Sequence, residues 1–440
     1  MKLKNLIYRL SALCAASLTL TGCVLGNSVE SLLSPPEISA EQKEIYSALV
    51  KHTGDKITLQ YPKAGSYRSA FIVDDFDSDG EKEALAFYIN ASDGKTSGSL
   101  RLNLLDKTEN GWKSVCDAAG SGAGVERVLI SELGDSGRTS IIIGYTNVSG
   151  DKNFHSYVYS GGTLNDTFYG EYSSMFIADL NSDGLNELSV IHPNNAYTNS
   201  DAYFSLVTDD GSTVYESSTV PMNDRNSDFV NIAVGYVGAE TPAVFVDGIS
   251  GGYLSTEIIY CISDTLRNPL YLSDSQIIKD TVRINGYLST DIDLDGIVEI
   301  PTLSYFPGYN QDSSEQHFIT NWNVMDSFSI TKKYSSYYSP ADGFCFILPK
   351  RWDGVVTVKT DYENGDIVFC KYAADLMSST EELMRFALVD NRFADERSAD
   401  GYKLLKTRNN TSYFYKLPSG SSEPLVLTES EIINNFYLMT

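Results

Sequence analysis

Short apolar runs separated by turn residues occupy most of the chain. Between about residues 57 and 330 these runs are four or five residues long, as at residues 84–88 and 188–191. Asn110-Gly111 and Asp209-Asp210-Gly211 stand between such runs, and these residue types favour tight hairpin turns. Because no long helical periodicity interrupts it, this pattern predicts a mainly β fold, arranged as a sandwich array, a barrel or a propeller.

One amphipathic helix is predicted ahead of this region. Ser39 and Gln42 have the spacing of a capping box, in which each side chain accepts a hydrogen bond from the other residue's backbone N–H. Ile45 and His52 then lie seven positions apart on one apolar face. We therefore predict an N-terminal helix over residues 38–56, with His52 as a packing residue and not a metal ligand.

The last hundred residues have a different pattern. Two β-like runs, at residues 355–359 and 366–371, flank a turn at Asn364-Gly365. A final apolar segment beginning after Thr428 is predicted to be helical. We predict a small α+β domain over residues 333–440, following the main β region over residues 57–332.

Three acidic segments share the pattern D-x-[DN]-x-D-G-x-x-E, and each lies between two strand-like runs. We call them loops 1, 2 and 3 and number their positions from 1 to 9. Their candidate ligand positions are Asp75, Asp77, Asp79, Glu81 and Glu83 in loop 1, Asp179, Asn181, Asp183, Leu185 and Glu187 in loop 2, and Asp291, Asp293, Asp295, Ile297 and Glu299 in loop 3.

The spacing within these loops indicates a cation site. Alternate side-chain oxygens in a tight turn converge on one point, and the glycine at position 6 allows the sharp turn. The residue at position 7 contributes its backbone carbonyl. Such a set of oxygen ligands suits a hard cation of the size of Ca²⁺. We predict up to three Ca²⁺ ions, with weaker binding at loop 2 because Asn181 replaces a carboxylate.

The loops differ from an EF-hand. An EF-hand places a bidentate glutamate at position 12, where this chain has Ala86, Val190 and Thr302. The glutamate is at position 9 instead, and the flanking segments are strand-like. An Asp-Gly turn with solvated acids is the alternative for a single loop, but three loops with one ligand spacing favour a metal site.

Weaker copies of the repeat lie between the three loops. Residues 132–141 and 236–246 keep a glycine turn and the strand that follows it. The five units begin at residues 75, 132, 179, 236 and 291, in steps of 57, 47, 57 and 55 residues. This period is typical of a four-stranded propeller blade.

The three loops resemble the FG-GAP/VCBS repeats of integrin-alpha-like propellers. The resemblance implies a β-propeller of about five blades over residues 57–332, with Ca²⁺ held in a hairpin loop of a blade. Bacterial surface lipoproteins with such repeats are a familiar class. The FG and GAP sequences themselves are not evident in this chain.

The first residues resemble a lipoprotein signal. A basic start is followed by an apolar stretch over residues 10–20, which is too short to span a bilayer. Residues 20–23 read Leu-Thr-Gly-Cys, and this resembles the bacterial lipobox. The resemblance implies cleavage after a signal peptide over residues 1–22, acylation of Cys23 with a palmitate-type chain, and a tether over residues 23–37. An ordinary cleaved signal is the alternative.

Charge narrows the choice of partners. The chain has 58 acidic and 33 basic residues, for a formal net charge of −25. This charge excludes a nucleic-acid binder that works through a basic surface. It also disfavours direct binding to anionic lipid, so the expected membrane contact is the N-terminal lipid.

The remaining candidate residues give weaker signals. The cysteines outside the signal and lipobox, at positions 116, 261, 345 and 370, contain no CxxC pair, which disfavours a thiolate metal site. A disulfide bridge between Cys345 and Cys370 is one alternative, but the sequence favours buried free thiols. Trp112, Trp322 and Trp352 could stack on a sugar or a peptide, but core packing is expected for each.

The function predicted from these observations is binding or scaffolding at the cell surface. The protein would be a calcium-binding lipoprotein on the cell membrane, facing away from the cytoplasm, with a protein or glycan ligand. A propeller-type carbohydrate-active hydrolase is the alternative, and a purely structural envelope component is a third possibility. No catalytic residues are assigned, because the chain lacks HExxH and phosphate-binding motifs. A Ser/His/Asp set stays open because its members need not be adjacent in sequence.

Overall fold

The computed structural model describes most of the chain after residue 38. The described residues are 39–90, 99–194, 201–272, 277–278, 280–326, 329–420 and 423–439. The predicted signal peptide (1–22), the tether (23–37) and Cys23 lie outside the described residues. Among the helices of the described ranges, none combines the length and the apolar character needed to cross a membrane.

The described part of the chain begins with helix α1 (Ala40–Thr53), and the predicted capping box is present. The Ser39 hydroxyl accepts a hydrogen bond from the Gln42 N–H at 3.1 Å, and the Gln42 side chain accepts one from the Ser39 N–H at the same distance. These bonds satisfy donors that a helix N-terminus otherwise leaves unpaired. Ile45 and Leu49 are buried against the first sheet.

His52, predicted to be a partly buried packing residue, has a side chain that is 49% exposed and lies outside the apolar cluster of Ile45 and Leu49. The buried stripe of α1 runs through Ile45 and Leu49, and position 52 lies at the edge of that stripe. The imidazole Nε2 instead lies 3.7 Å from the carboxylate of Asp117 on the neighbouring sheet.

The next three sheets are antiparallel. Sheet 1 contains β1 (Ile57–Gln60), β2 (Phe71–Asp74), β3 (Glu83–Asn90), β4 (Leu100–Thr108) and β5 (Gly111–Ala119). Sheet 2 contains β6 (Gly124–Glu132), β7 (Thr139–Thr146), β8 (Lys152–Ser160) and β9 (Thr163–Glu171). Sheet 3 contains β10 (Ser174–Ala178), β11 (Glu187–His192), β12 (Tyr203–Asp209) and β13 (Val214–Pro221). In sheets 2 and 3 the strands follow one another in chain order, and in sheet 1 both β1 and β2 pair with β3.

Sheets 4 and 5 continue the series. Sheet 4 contains β14 (Asp228–Val237), β15 (Thr241–Ser250), β16 (Tyr253–Ile262), β17 (Thr265–Arg267) and, paired with β16, β20 (Arg283–Ile284). A separate ribbon joins β18 (Tyr271–Leu272) and β19 (Ile277–Ile278). Sheet 5 contains β21 (Ile300–Tyr305), β22 (Phe318–Asp326), β23 (Ser329–Ser339), β24 (Phe344–Ile347) and β30 (Phe436–Leu438). The predicted domain boundary between residues 332 and 333 falls within β23, which pairs with β22 and β24.

The C-terminal part forms sheet 6 and two short helices. Sheet 6 contains β25 (Val356–Asp361), β26 (Asp366–Lys371), β27 (Glu382–Asp390), β28 (Lys403–Arg408) and β29 (Thr411–Lys416). Helix α2 (Ala394–Ala399) follows β27, and α3 (Glu429–Asn434) precedes β30. Thr428 caps α3 as the sequence suggests, but the chain then returns to sheet 5 as a strand instead of continuing as a helix.

The six sheets stack in chain order, because hydrophobic clusters join each sheet to the next. Five clusters connect sheets 1 and 2, 2 and 3, 3 and 4, 4 and 5, and 5 and 6. Helix α1 covers the other face of sheet 1, and α2 packs against the other face of sheet 6. Among the described residues, no hydrophobic cluster joins sheet 1 to sheet 5. The mainly β class predicted from the sequence is confirmed, and the stack has a helix at each end.

The described cysteines and tryptophans serve packing. Cys116, Cys261, Cys345 and Cys370 are unpaired, and all but Cys116 are buried. The three tryptophans are also buried: Trp322 donates its indole N–H to Ser336, and Trp352 donates to the carbonyl of Leu425, both at 2.8 Å. The expectation of core packing is therefore confirmed for the tryptophans.

A buried carboxylate in sheet 4 leads to a prediction about pH. Glu257 on β16 accepts hydrogen bonds from the Asn223 N–H at 3.1 Å and from the Asn268 side chain at 2.7 Å. Burial raises the pKa of Glu257 from 4.5 to about 7. The folded state therefore binds a proton that the unfolded state releases between these two pH values. The stability contributed by this group falls as pH rises from 4.5 to 7, by about 3 kcal/mol, and is constant above pH 7.

We expect Glu257→Gln to remove this pH dependence. Urea denaturation of wild type and variant at several pH values between 4.5 and 8 measures the difference in the free energy of unfolding. Between pH 4.5 and 8, the free energy of unfolding of the variant should rise by about 3 kcal/mol relative to that of the wild type. Glu240→Gln, in the exposed turn between β14 and β15, is the control and should follow the wild-type profile. Parallel profiles for wild type and Glu257→Gln would contradict the prediction.

Candidate metal centres

The three acidic loops occupy equivalent places in the fold. Loop 1 joins β2 to β3, and loop 2 joins β10 to β11. Loop 3 precedes β21 and is closed at its base by a bridge between Thr290 and Glu299. Each loop is therefore the first hairpin connection of its sheet.

The carboxylate at position 1 holds the turn together. In loop 1, Asp75 accepts hydrogen bonds from the N–H groups of Asp79 at 3.2 Å and Gly80 at 3.1 Å. The same two bonds measure 3.2 and 3.0 Å in loop 2, and 3.2 and 2.8 Å in loop 3. The carboxylate at position 5 also accepts from the N–H at position 7, at 2.8 to 2.9 Å in all three loops. The loops thus share one backbone conformation.

The glutamate at position 9 is buried in every loop. Glu83, Glu187 and Glu299 each accept a hydrogen bond from the N–H at position 2, at 2.6, 3.3 and 2.9 Å. The side chains at position 2 are buried apolar anchors: Phe76, Leu180 and Ile292. Position 9 therefore brings a carboxylate to the inside of the loop, where the sequence pattern expects a ligand.

The backbone of the loops is left-handed at two positions. Position 4 has a φ of 61° to 63° and holds the residues Ser78, Ser182 and Leu294. Position 6 has a φ of 86° to 91° and holds the glycine in every loop. This conformation is unfavourable for residues other than glycine, and the hydrogen bonds of positions 1 and 5 maintain it.

The donor set of loop 1 fits a hard cation. Asp75, Asp77 and Glu83 each offer an oxygen, and these oxygens lie within 4.8 Å of one another. Burial, together with the nearby carboxylate of Asp77, raises the pKa of Glu83 to about 7. Because every ligand atom is an oxygen and the acids repel one another, a divalent cation would stabilise this loop.

Loop 2 has a smaller charge. Burial raises the pKa of Glu187 to about 7, and the carboxylates of Asp183 and Asp179 add to the effect. The Asn181 amide donates a hydrogen bond to Asp183 at 2.9 Å, which offsets part of the repulsion. Among the described residues, loops 1 and 3 each bring three acidic oxygens within 4.8 Å of one another and loop 2 does not, so weaker cation binding at loop 2 stays a prediction.

Loop 3 contains a cation of its own. The Lys333 ammonium on β23 lies 3.0 Å from Asp293, 2.6 Å from Asp295 and 2.8 Å from Glu299. Burial alone would lower the pKa of Lys333, but the bonds to three carboxylates outweigh burial and raise it. Tyr334 adds a hydrogen bond to Asp293 at 2.6 Å. Asp291, Asp293 and Asp295 still bring oxygens within 4.8 Å of one another. A metal ion in loop 3 would therefore compete with Lys333.

Sequence reasoning missed Lys333, which is separated from Glu299 by two strands. The pairing depends on the register of β22 and β23, which the spacing of residues does not reveal. The only trace in the sequence is the pair Lys332-Lys333 in a strongly acidic chain.

The two weaker repeats lie at the same hairpin of their sheets. Glu132, at the turn between β6 and β7, accepts a hydrogen bond from Gly137 at 2.8 Å, which reproduces the bond between positions 1 and 6. Each turn also contacts the loop of the following sheet. The Gly134 N–H donates to Asn186 at 2.8 Å, and the Tyr236 N–H donates to Gly296 at 3.0 Å. The loops and turns of neighbouring sheets are therefore in contact along one edge of the stack.

A cavity of about 480 Å³ lies between sheets 5 and 6. Its walls include the apolar side chains Phe306, Ile319 and Trp352. Its charged lining consists of Lys332, Lys333, Lys350 and Asp353, so the cavity has both apolar and charged walls next to loop 3.

Comparisons with known proteins give no family. No family model and no curated protein matches the sequence. Among solved structures, the exotype rhamnogalacturonan lyase YesX is 13% identical with a TM-score of 0.26, over 70% of this chain and 60% of the lyase. The rhamnogalacturonan lyase YesW is 11% identical with a TM-score of 0.31, over 73% and 67%. An exo-beta-1,3-galactanase from Phanerochaete chrysosporium is 10% identical with a TM-score of 0.26, over 77% and 80%. The chain thus spans about three fifths of the length of YesX, and likenesses at these TM-scores assign no function.

Proposed function

We propose that this protein is a lipid-anchored, calcium-binding scaffold of the cell surface that presents a protein or glycan ligand site. In this proposal sheets 1 to 5 are the blades of a propeller-like array, as FG-GAP/VCBS repeats would form. Four strands in chain order and a first hairpin at one edge support the blade assignment for sheets 2 and 3. The lipid would hold the protein on the cell membrane, facing away from the cytoplasm.

The observation that carries the proposal is the repeated loop geometry. Three loops far apart in sequence share the same backbone hydrogen bonds and the same buried glutamate. A solvated Asp-Gly turn has no need of a buried carboxylate at position 9. Ca²⁺ would be held by side-chain oxygens at positions 1, 3, 5 and 9 and by the carbonyl at position 7.

The same geometry argues against the loop carboxylates as the catalytic acid and base of a carbohydrate-active hydrolase. A glycosidase needs two carboxylates that act as acid and base. In the loops, the carboxylates at positions 1, 5 and 9 accept hydrogen bonds from their own backbone. They therefore hold the turn and any bound cation, and are not available for proton transfer to a substrate.

Calcium stoichiometry tests the proposal. We expect calorimetric titration to find two Ca²⁺ ions, at loops 1 and 2, because Lys333 already neutralises loop 3. Lys333→Met keeps the apolar stem and removes the ammonium, so a third ion should bind.

Lys332→Met is the matched control, since the neighbouring lysine makes no contact with loop 3 among the described ion pairs. It should leave the stoichiometry at two. Absence of Ca²⁺ binding by the wild type would overturn the proposed function. Unchanged stoichiometry in Lys333→Met would instead overturn only the assignment of Lys333 as the internal cation.

The lipid anchor has its own test. Expressed in a bacterium with its N-terminal segment, the full chain should partition into the detergent phase of a cloud-point extraction because its lipid is apolar. Cys23→Ala should move it to the aqueous phase. Cys116→Ala, which changes a half-buried thiol of sheet 1, should behave as wild type. Aqueous partition of the wild type would contradict the anchor.

A further inference from the structure

Two residues of sheet 2 and one residue of the turn between sheets 1 and 2 form a hydrogen-bonded chain that the proposed scaffold does not use. The Nε2 atom of His155 lies 2.9 Å from the hydroxyl oxygen of Ser121. Its Nδ1 atom lies 2.7 Å from a carboxylate oxygen of Asp166. A hydroxyl and a carboxylate are thus joined through the two nitrogens of one imidazole.

The turn between β5 and β6 positions Ser121. The Ser121 carbonyl accepts a hydrogen bond from Asn153 at 3.1 Å, and the next-but-one N–H, of Ala123, donates to Thr146 at 2.8 Å. A Cβ on Gly122 would lie 2.8 Å from the Cβ of Tyr145, so only glycine allows the turn to approach β7 this closely. The turn therefore holds the serine against β8, which carries His155.

Aromatic rings and a β-bulge position the other two residues. The His155 ring stacks on Tyr157 and on Tyr169, at centroid distances of 5.9 and 5.5 Å. A β-bulge at Thr167 of β9, opposite Ser156 and Tyr157 of β8, places Asp166 opposite Tyr157, within reach of the imidazole. Tyr169 is 73% exposed and Asp166 is 44% exposed, so solvent reaches the edge of this site.

This arrangement has the hydrogen bonds that a serine nucleophile requires. A carboxylate on Nδ1 fixes the tautomer that carries its proton there, which leaves the Nε2 lone pair facing the serine hydroxyl. Within the described residues, the N–H of Gly122 donates no hydrogen bond to the protein, and it directly follows the serine. A backbone N–H at this position can stabilise an oxyanion.

His192 and His317 also contact hydroxyl and carboxylate groups, but their geometry differs from that of His155. His192 also bonds a serine hydroxyl, that of Ser205, at 2.8 Å. However, Ser205 is fully buried, and the nearby carboxylate of Glu216 approaches the same ring nitrogen, Nε2, at 3.4 Å. His317 likewise uses Nε2 for both of its side-chain hydrogen bonds, with Glu315 and with Thr360. Among these histidines, His155 alone links an accessible hydroxyl to a carboxylate through opposite nitrogens.

We propose that Ser121, His155 and Asp166 form a hydrolytic site for carboxylic esters. In the first step the Ser121 oxygen bonds to the ester carbonyl carbon and its proton passes to His155. The carbon–oxygen bond to the alcohol then breaks, and the alcohol leaves with that proton. Water repeats the sequence on the acyl-serine: its proton passes to His155, its oxygen bonds to the acyl carbon, and Ser121 leaves with the proton as the acid is released.

The site is independent of the metal loops. Glu83 of loop 1 is opposite Asp106 at one end of sheet 1, whereas Ala119, two residues before Ser121, pairs with Arg101 at the other end. The exposed ring of Tyr169 offers a flat apolar surface to the ester beside His155. An ester with an aromatic or sugar leaving group is therefore the substrate class that we assign.

A fluorophosphonate probe and p-nitrophenyl acetate test the proposal. The Ser121 oxygen should attack phosphorus with loss of fluoride, and peptide mass spectrometry of the labelled wild type should place a single adduct on Ser121. Hydrolysis of p-nitrophenyl acetate should fall to the uncatalysed rate in Ser121→Ala. We expect His155→Gln to lower kcat/KM by about a hundredfold or more, because the base is lost.

Ser205→Ala is the matched control, because it removes a buried serine whose histidine partner, His192, has its carboxylate contact on the same ring nitrogen as the serine. Its labelling should equal that of the wild type. The site of the adduct is determined on the wild-type protein, so this result tests the proposal even if a variant fails to fold. No adduct on the wild type, or an adduct on any serine other than Ser121, would overturn the proposal. Labelling in the presence of a chelator should persist, which separates this site from the calcium loops.

Discussion

Replacing Arg283 with methionine should lower the free energy of unfolding by about 3–5 kcal/mol. Arg283 on β20 and Asp247 on β15 form an ion pair at 2.8 Å, and both side chains are fully buried. Removing the arginine leaves an uncompensated carboxylate in the interior of sheet 4. The loss is large because a buried charge that loses its partner recovers no hydration.

The surrounding contacts show why the pair is tolerated in the wild type. Asp247 also accepts hydrogen bonds from the Thr256 hydroxyl at 2.6 Å and from the Ser289 N–H at 2.7 Å. The guanidinium donates to Thr256 and to the carbonyl of Thr281, at 2.8 and 2.9 Å. With these partners the desolvation cost of both charges is offset.

The pair also connects stability to loop 3. Ser289 lies two residues before Asp291, and its backbone is bonded to Asp247. Arg283→Met should therefore loosen the segment that enters loop 3. Urea denaturation followed by tryptophan fluorescence measures the stability change.

Arg392→Met is the control, because Arg392 is 77% exposed in its pair with Asp390. An exposed pair contributes about 0–1 kcal/mol, so this variant should be nearly as stable as the wild type. A loss below about 1 kcal/mol in Arg283→Met would show that the buried pair is not strongly coupled to folding.

Local features of the fold were predictable from the sequence. The capping box at Ser39, the turns at Gly111 and Gly365, and the place of the loops between strands depend on residues close together in the chain. Each has a specific short-range cause, such as a capping hydroxyl or a glycine with positive φ. These short-range effects do not depend on how distant parts of the chain pack.

Features that depend on distant pairing were not predictable. Lys333 reaches loop 3 only because β23 pairs with β22, and Arg283 reaches Asp247 only because β20 pairs with β16. The return of β30 to sheet 5 and the helices at the two ends of the stack also follow from long-range packing. No spacing along the chain carries this information.

The same limit explains the Ser121–His155–Asp166 chain. Nothing in the sequence distinguishes its three members from other residues of the same types, and only the flanking glycines mark the serine. The three-residue contact requires the turn after β5, the strand β8 and the bulge in β9. Candidate nucleophiles of this kind are found by geometry.

Chelation of Ca²⁺ should lower the melting temperature by several degrees. A ligand that binds only the folded state stabilises it by about 4 kcal/mol when its concentration is a thousand times the dissociation constant. For loops 1 and 2 the gain has a direct cause, because Ca²⁺ would neutralise carboxylates that now repel one another around a buried glutamate. Thermal scans with millimolar Ca²⁺ and with chelator measure the shift, and Mg²⁺ at equal concentration corrects for general screening.

Single Asp→Asn variants at position 1 should separate the three loops. Asp75→Asn should reduce the Ca²⁺-dependent shift most, because loop 1 has the largest negative charge. Asp179→Asn should reduce it less, and Asp291→Asn should leave it unchanged, because the Lys333 ammonium already neutralises loop 3. Asp135→Asn, in the weaker repeat of sheet 2, should leave the shift unchanged. Equal losses at the three loops would contradict the role of Lys333, whereas no shift with Ca²⁺ in the wild type would remove the basis for a metal site in any loop.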